Sequence, residues 1–277
     1  MDTTPSLTGR VVVVTGAASG LGRAFAEECA RLGASVALLD RDAERLAEAA
    51  QLLAEAHGVA TLDLAVDVAD AASVDAAATA VVDAWGRVDV VISNVGVQLF
   101  GGVDRLTDDE WRWVLDVNVI GAARTARAFL PHLRASDGAR LAFTASSSVL
   151  SAAAGMVAYQ TSKFALWGLA ESLRCELGDA VPVTLVVPSG MLTRHFESSG
   201  EAQPAHIDRP VATDADLEVM FASNAGMGST LASPEDAAAA VLPAILAGEP
   251  YAITHGDLVA AVDARWTALH AAAERAR

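Results

Sequence analysis

The chain has 277 residues, of which 53% are hydrophobic, and a formal net charge of −16. Such a length and composition predict a globular protein, not a disordered one, with one large or two small domains and ample chain to bury a core. The acidic balance argues against nucleic acid or an anionic membrane surface as a partner.

Residues 1–9 read as a disordered lead-in. Arg10 to Thr15 is a short β-branched run, read as a buried parallel strand. It leads into Thr15-Gly16-Ala17-Ala18-Ser19-Gly20-Leu21-Gly22 and then a helical pattern to about Leu32. Strand, glycine turn and helix together place a phosphate at a helix N-terminus. Glycines at 16, 20 and 22 allow a tight turn, close backbone approach and close helix–strand packing.

Ser35 to Leu39 is a second strand, closed by Asp40. An acid there is placed to hydrogen-bond an adenosine ribose, and it would repel a 2′-phosphate, which favours NAD over NADP. Arg41 could hold that phosphate, pair with Asp40 or stand in solvent. Asp42 to His57 is an alanine-rich helix, and Ala60 to Val66 a third strand followed by Asp67-Val68. Asp67 could receive the adenine amino group or cap the next helix, Ala71 to Trp85. Val88 to Ser93 is a fourth strand, ending in Asn94-Val95-Gly96. Thr107 to Glu110 is a capping box for a helix running to about Arg134, with Asn118 in its middle.

Ala139 to Ala145 is a fifth strand, ending in Ser146-Ser147-Ser148, and Val157 to about Leu177 a helix. Val181 to Val187 is a sixth strand, followed by Pro188-Ser189-Gly190 and Thr193. Residues 194–232 have no clean period, as expected of a lid or binding loop, and carry His195, His206 and Met220 to Met227. Ser233 caps a helix that ends near Gly248. Tyr251 to Thr254 is a possible last strand, and Asp257 to Arg277 a final helix. Strands alternate with helices and no linker divides them, so the expected fold is α/β: a single doubly wound, Rossmann-like domain over 1–277, with a parallel sheet of about seven strands. Its cofactor half spans about 8–150, its catalytic and substrate-loop part about 151–277.

Cys29 and Cys175 are isolated, which excludes a disulfide framework and suits a reducing cytosol. The six histidines form no metal-ligand spacing, so no metal site is expected. The early apolar run Val11–Val14 is too short for a signal peptide and nothing reaches membrane-spanning length. The expected location is cytoplasmic. The five tryptophans read as core or interface.

Lys163 is the only lysine, against 18 arginines, and it stands four positions after Tyr159, one of two tyrosines. At that spacing both lie on one helix face. A cation beside a phenol favours the phenolate and makes a general base for neutral pH. The plain alternative is a core tyrosine with a solvated lysine.

Together these motifs resemble the short-chain dehydrogenase/reductase family over about residues 8–254. Thr15 to Gly22 matches its TGxxxGxG turn, Ser93-Asn94-Val95-Gly96 its NNAG motif, and Asn118 its helix asparagine. Ser146 matches its serine, thirteen positions before the tyrosine. Tyr159 and Lys163 match its YxxxK pair, and Pro188 and Thr193 its PGxxxT element. Val95, Ser93 and Ser189 depart from the family pattern, and none removes a catalytic group.

The resemblance implies catalysis by Asn118, Ser146, Tyr159 and Lys163. It implies cofactor contact by Gly16, Ser19, Gly20, Leu21 and Gly22, by Asp40 and Arg41, by Asp67 and Val68, by Asn94 and Gly96, and by Tyr159, Lys163 and Thr193. In those roles Tyr159 exchanges a proton with the substrate oxygen and Ser146 holds that oxygen. Lys163 lowers the phenol pKa and bonds the nicotinamide ribose, and the Asn118 main chain holds a water. The cofactor implied is NAD, with NADP the alternative. The activity implied is NAD-dependent interconversion of a secondary alcohol and its ketone, with the lid's composition suggesting a bulky, apolar substrate, against two alternatives: an NADPH-dependent ketone reductase and a silent NAD-binding or scaffold protein. A homotetramer or dimer built on helices 107–134 and 157–177 is also implied.

Overall fold

The computed structural model describes residues 6–223, 231–256 and 258–277. Seven parallel strands form one sheet in the order β3-β2-β1-β4-β5-β6-β7. In chain order the elements are β1 (Val11–Thr15), α1 (Gly20–Arg31), β2 (Ser35–Asp40), α2 (Ala43–His57), β3 (Thr61–Ala65), α3 (Ala71–Trp85) and β4 (Val90–Ser93). Next come α4 (Asp108–Leu115), a π-helical turn (Asp116–Ile120), α5 (Gly121–Arg134), β5 (Arg140–Thr144), α6 (Val157–Leu177) and β6 (Val183–Val187). The last are α7 (His195–Ala202), α8 (Asp214–Ser223), α9 (Pro234–Ala247), β7 (Tyr251–Ile253) and α10 (Val259–Arg275).

The consecutive valines of β1 serve two cores. Val12 and Val14 face α1, α2 and α9, while Val11 and Val13 face α3, α5 and α6. A strand buried on both faces has no polar side to alternate with, which is why it reads as an unbroken apolar run. Phe25 fills the first core, and Phe129 and Phe143 the second, all with no exposure. Burying each of them contributes about 2–3 kcal/mol.

The chain order reverses between β1, which leads outward through β2 to β3, and β4, which leads to β7 on the other side. A crevice opens there beyond the carboxyl ends of the strands. Thr15 closes its floor, its Oγ1 accepting from Asn94 N at 2.9 Å and Val95 N at 3.3 Å. This joins the glycine turn to the exit of β4.

Three expectations need correction. The lead-in is not loose throughout: Leu7 is buried and its N–H donates to Leu32 O, because an apolar side chain can cover the base of α1. The helix expected over 107–134 is interrupted at Asp116–Ile120. The 194–232 segment holds α7 and α8, short helices that tertiary contacts stabilise without a strong periodic pattern. Met227 and Asp257 lie outside the described residues.

Candidate active site

The crevice is a cleft of about 1130 Å³. Of the residues singled out from the sequence, it is lined by Gly16, Ser19, Gly20, Leu21, Asp40, Arg41, Asp67, Val68, Asn94, Gly96, Ser146, Tyr159, Lys163 and Thr193. Gly22 and Asn118 stand behind its wall.

The adenosine end is built on the turn after β1. Gly16 and Gly20 have φ of 70° and 54°, the left-handed region that favours glycine. Gly22 is required by crowding: a Cβ there would meet Gly16 O at 2.0 Å and Asn94 Nδ2 at 2.7 Å. Asp40 accepts from Ala18 N and from Asp42 N, both at 3.1 Å. Burial pushes its carboxyl above the ordinary value, and these backbone donors oppose that rise. Arg41 does not pair with Asp40: it is exposed to solvent and donates to Ala202 O at 2.9 Å. Asp67 is not the helix cap: its Oδ1 accepts from Ala69 N at 2.8 Å, and Asp70 caps α3.

Asn118 is fully buried in the π-turn. Its Oδ1 accepts from Val97 N at 2.7 Å, and its Nδ2 donates to Val97 O and Ser162 Oγ, both at 2.9 Å. The side chain therefore clamps the β4 exit to α6. Such a turn widens the helix locally and is a frequent device at functional sites.

Tyr159 and Lys163 lie on the inner face of α6, 5% and 3% exposed. The Lys163 Nζ stands 5.6 Å from the Tyr159 ring centroid and donates to Thr144 O at 2.9 Å. Burial holds the ammonium down to about 8. The phenol is raised above its ordinary value, since burial outweighs the donors Ser146 and Gln98 that lie against its hydroxyl. Desolvation thus dominates, where the sequence suggested a lysine-lowered phenol. Thr144 Oγ1, also on the cleft wall, is buried without a partner and is free for a ligand.

Ser189 and Val95 fit. Among the described residues no non-glycine has positive φ, so Ser189 needs no glycine conformation, and its N–H donates to Thr254 Oγ1 at 3.2 Å. Val95 Cγ2 stands close to Gly16, 3.4 Å from where a Cβ would sit. None of the five tryptophans lines the cleft.

Three cleft residues carried no clear signal in the sequence. Gln98 lies two positions past Gly96, and only its place beyond a strand's carboxyl end could have marked it. His195 opens α7 and meets Tyr159 edge-on, with ring centroids 6.3 Å apart. Glu201 bonds Arg45 and Arg194, each at 2.9 Å, and so ties α7 to α2 over the adenosine end.

Residues 10–204 match the sequence profile of the short chain dehydrogenases. The chain belongs to that family. SadH of Mycobacterium tuberculosis, whose name assigns it oxidoreductase activity, is 34% identical over 247 residues, covering 88% of this chain and 85% of its own. A short-chain dehydrogenase/reductase from Burkholderia phymatum, solved with NAD, superposes with a TM-score of 0.87 at 30% identity over 96% of each chain. An alcohol dehydrogenase from Thermococcus sibiricus, solved with 5-hydroxy-NADP, gives a TM-score of 0.65 at 31% identity, covering 67% of this chain and 78% of its own. This short-chain dehydrogenase is an oxidoreductase of the pyridine-nucleotide type, acting on a small molecule. The side-chain-free cradle of Gly16, Gly20 and Gly22, the acid after β2 and the unpartnered Thr144 hydroxyl fit such a cofactor. Among the described residues no helix is long and apolar enough to cross a membrane, and no cluster could hold a metal ion.

Proposed function

We propose that the chain is an NAD-dependent dehydrogenase that interconverts a bulky, largely apolar secondary alcohol and its ketone. The observation that carries this reading is Tyr159, a buried phenol at the cleft wall with Ser146 against its hydroxyl and a lysine on the same helix face. Tyr159 takes the hydroxyl proton in oxidation and returns it in reduction. Ser146 holds the same oxygen and stabilises the charge that develops on it. Lys163 binds the nicotinamide ribose and favours the phenolate, and the main chain of Asn118 holds a water that links Lys163 to solvent. A nicotinamide cofactor held against Tyr159, Lys163 and Thr193 would supply the hydride acceptor.

NAD is favoured over NADP because Asp40 stands at the end of β2 and the nearby guanidinium groups already have partners. Arg41 is on Ala202 O, Arg45 on Asp42 and Glu201, and Arg194 on Glu197 and Glu201. The apolar substrate body is supported by Met156, Met191, Phe196, Phe221 and Leu231 on the cleft wall. The chain works as one domain, and its helices 107–134 and 157–177 pair between copies in a homotetramer. It functions in the cytoplasm.

The test is formation of reduced nicotinamide from NAD and from NADP with a panel of bulky secondary alcohols, for wild type and Tyr159→Phe. Turnover that prefers NAD and falls by at least a thousandfold in the variant is expected. Turnover that survives the substitution overturns the role of Tyr159, and a preference for NADP overturns the cofactor assignment.

A further inference from the structure

The substrate end of the cleft is less apolar than its composition suggests. Gln98 shares the cleft wall with Tyr159 and helps hold its phenol pKa down, yet its Oε1 is buried without a hydrogen-bond partner. Ser148 Oγ, on the same wall, is likewise buried and unpartnered. A buried polar atom without a partner costs free energy, so its retention calls for an explanation. Both residues line the cleft that Tyr159 lines.

His195 completes the group. It is the first residue of α7, and it is fixed there by a relay: Gln98 N donates to Ser199 Oγ at 2.9 Å, and Ser199 Oγ donates to His195 O at 2.6 Å. The main chain of Gln98 therefore positions the imidazole that faces Tyr159. Burial, with the charge of Lys163 nearby, holds the imidazole down to about 4, so it is neutral at physiological pH. A neutral ring offers one donor and one acceptor. Gln98 Oε1 can only accept, so its ligand must bring a hydrogen.

We propose that Gln98 and His195 form a second oxygen-binding point next to Tyr159 and Ser146, and that the substrate is a secondary alcohol with a second hydroxyl on the adjacent carbon. The spacing fits. Gln98 and His195 both line the cleft wall beside Tyr159, so a second oxygen held between them stands close to the reacting one. Two oxygens on neighbouring carbons meet that requirement. The apolar remainder of the molecule lies along Met156, Phe196 and Phe221, with Phe196 held rigid by stacking on Phe100 at 4.9 Å. Oxidation removes a hydride and a proton from one carbinol only; the second hydroxyl is bound and unchanged, and the product is an α-hydroxy ketone.

This inference rests on the dehydrogenase reading above, and the test separates the two. Matched pairs that share a skeleton are compared: 2-butanol with 2,3-butanediol, cyclohexanol with 1,2-cyclohexanediol, and 1-indanol with 1,2-indanediol. The readout is the ratio of kcat/KM for diol to monoalcohol, with NAD. In at least one pair the wild type should prefer the diol at least tenfold, as one or two hydrogen bonds predict. The ratio should fall toward one in Gln98→Leu and in His195→Phe, whatever happens to absolute rates. Equal or inverted ratios across all pairs in wild type overturn the second binding point and leave the dehydrogenase intact. So does a diol preference that both variants retain. If no alcohol turns over, the dehydrogenase reading fails on these skeletons, and the same pairs are read by thermal shift with NAD present. A diol-specific rise in Tm that Gln98→Leu abolishes supports the site, and its absence overturns it.

Discussion

Lys163 should destabilise the protein it serves, and Lys163→Met measures by how much. The ammonium is 3% exposed and is held by a carbonyl, Thr144 O, instead of a carboxylate. Its pKa falls from 10.5 to about 8. Each tenfold change in proton affinity is worth ~1.4 kcal/mol, so keeping the charge costs the folded state about 3 kcal/mol at neutral pH. Methionine has a similar length and no charge, but it leaves Thr144 O without its donor, at ~1–2 kcal/mol. The variant should therefore be more stable than wild type by about 1–2 kcal/mol at pH 7 while losing activity. The sign with pH is fixed. Because the folded pKa lies below the unfolded one, the cost is full below about pH 8 and vanishes as pH rises toward 10.5. At about pH 10 the order of stabilities should close or invert. Urea unfolding without cofactor reads both numbers, since a bound nucleotide would add its own stabilisation. A variant no more stable at pH 7, or a gap that does not shrink with pH, refutes the reasoning.

Asn118→Ala removes the three side-chain hydrogen bonds of the π-turn and strands both polar groups of Val97. A loss of about 3 kcal/mol in urea unfolding is expected, and a loss below about 1 would mean that the clamp is not needed. Gly22→Ala drives a methyl into Gly16 O, which is backbone and cannot swing aside. The KM for NAD should rise at least tenfold, and an unchanged KM would show that the turn adjusts at no cost. Asp89, with a side chain 1% exposed, joins Arg10 and Arg87 at the amino end of the sheet. Burial opposes its ionisation, but hydrogen bonds from Arg87, Ser136, Val11 N and Arg10 bring it down to about 2. Its contribution of up to about 2 kcal/mol, reduced by screening at the more exposed arginines, is present above about pH 4 and lost as pH falls toward 2. Asp89→Asn should match wild type near pH 2 and be the less stable near pH 7, as read by thermal unfolding at both.

What could be read from the sequence, and what could not, divides along a physical line. The central strands were legible because burial on both faces forces unbroken apolar runs such as Val11–Val14. The chemistry was legible where only one residue type will do. No side chain fits at Gly22, and a guanidinium cannot replace Lys163, whose single amine donates to Thr144 O. The interruption at Asn118 was not legible, since Asp116–Ile120 has ordinary helix-compatible residues and the widened turn is set by contacts to Val97 and Ser162.

The lid was harder still. Its placement depends on pairs distant in sequence, such as Arg45 with Glu201, Arg105 with Asp216, and Gln98 with Ser199. None of these has a local signature, because a surface arginine reads the same whether or not a carboxylate will come to meet it. On the proposed reading, these contacts set what the enzyme selects. Glu201 pairs with Arg45 and Arg194 beside the adenosine end, and the relay from Gln98 places His195 against Tyr159. The reaction type is therefore written in short motifs that tolerate no substitute. Substrate choice, on the reading proposed here, rests on long-range polar contacts between α7, α8 and the rest of the fold, which no local sequence pattern announces.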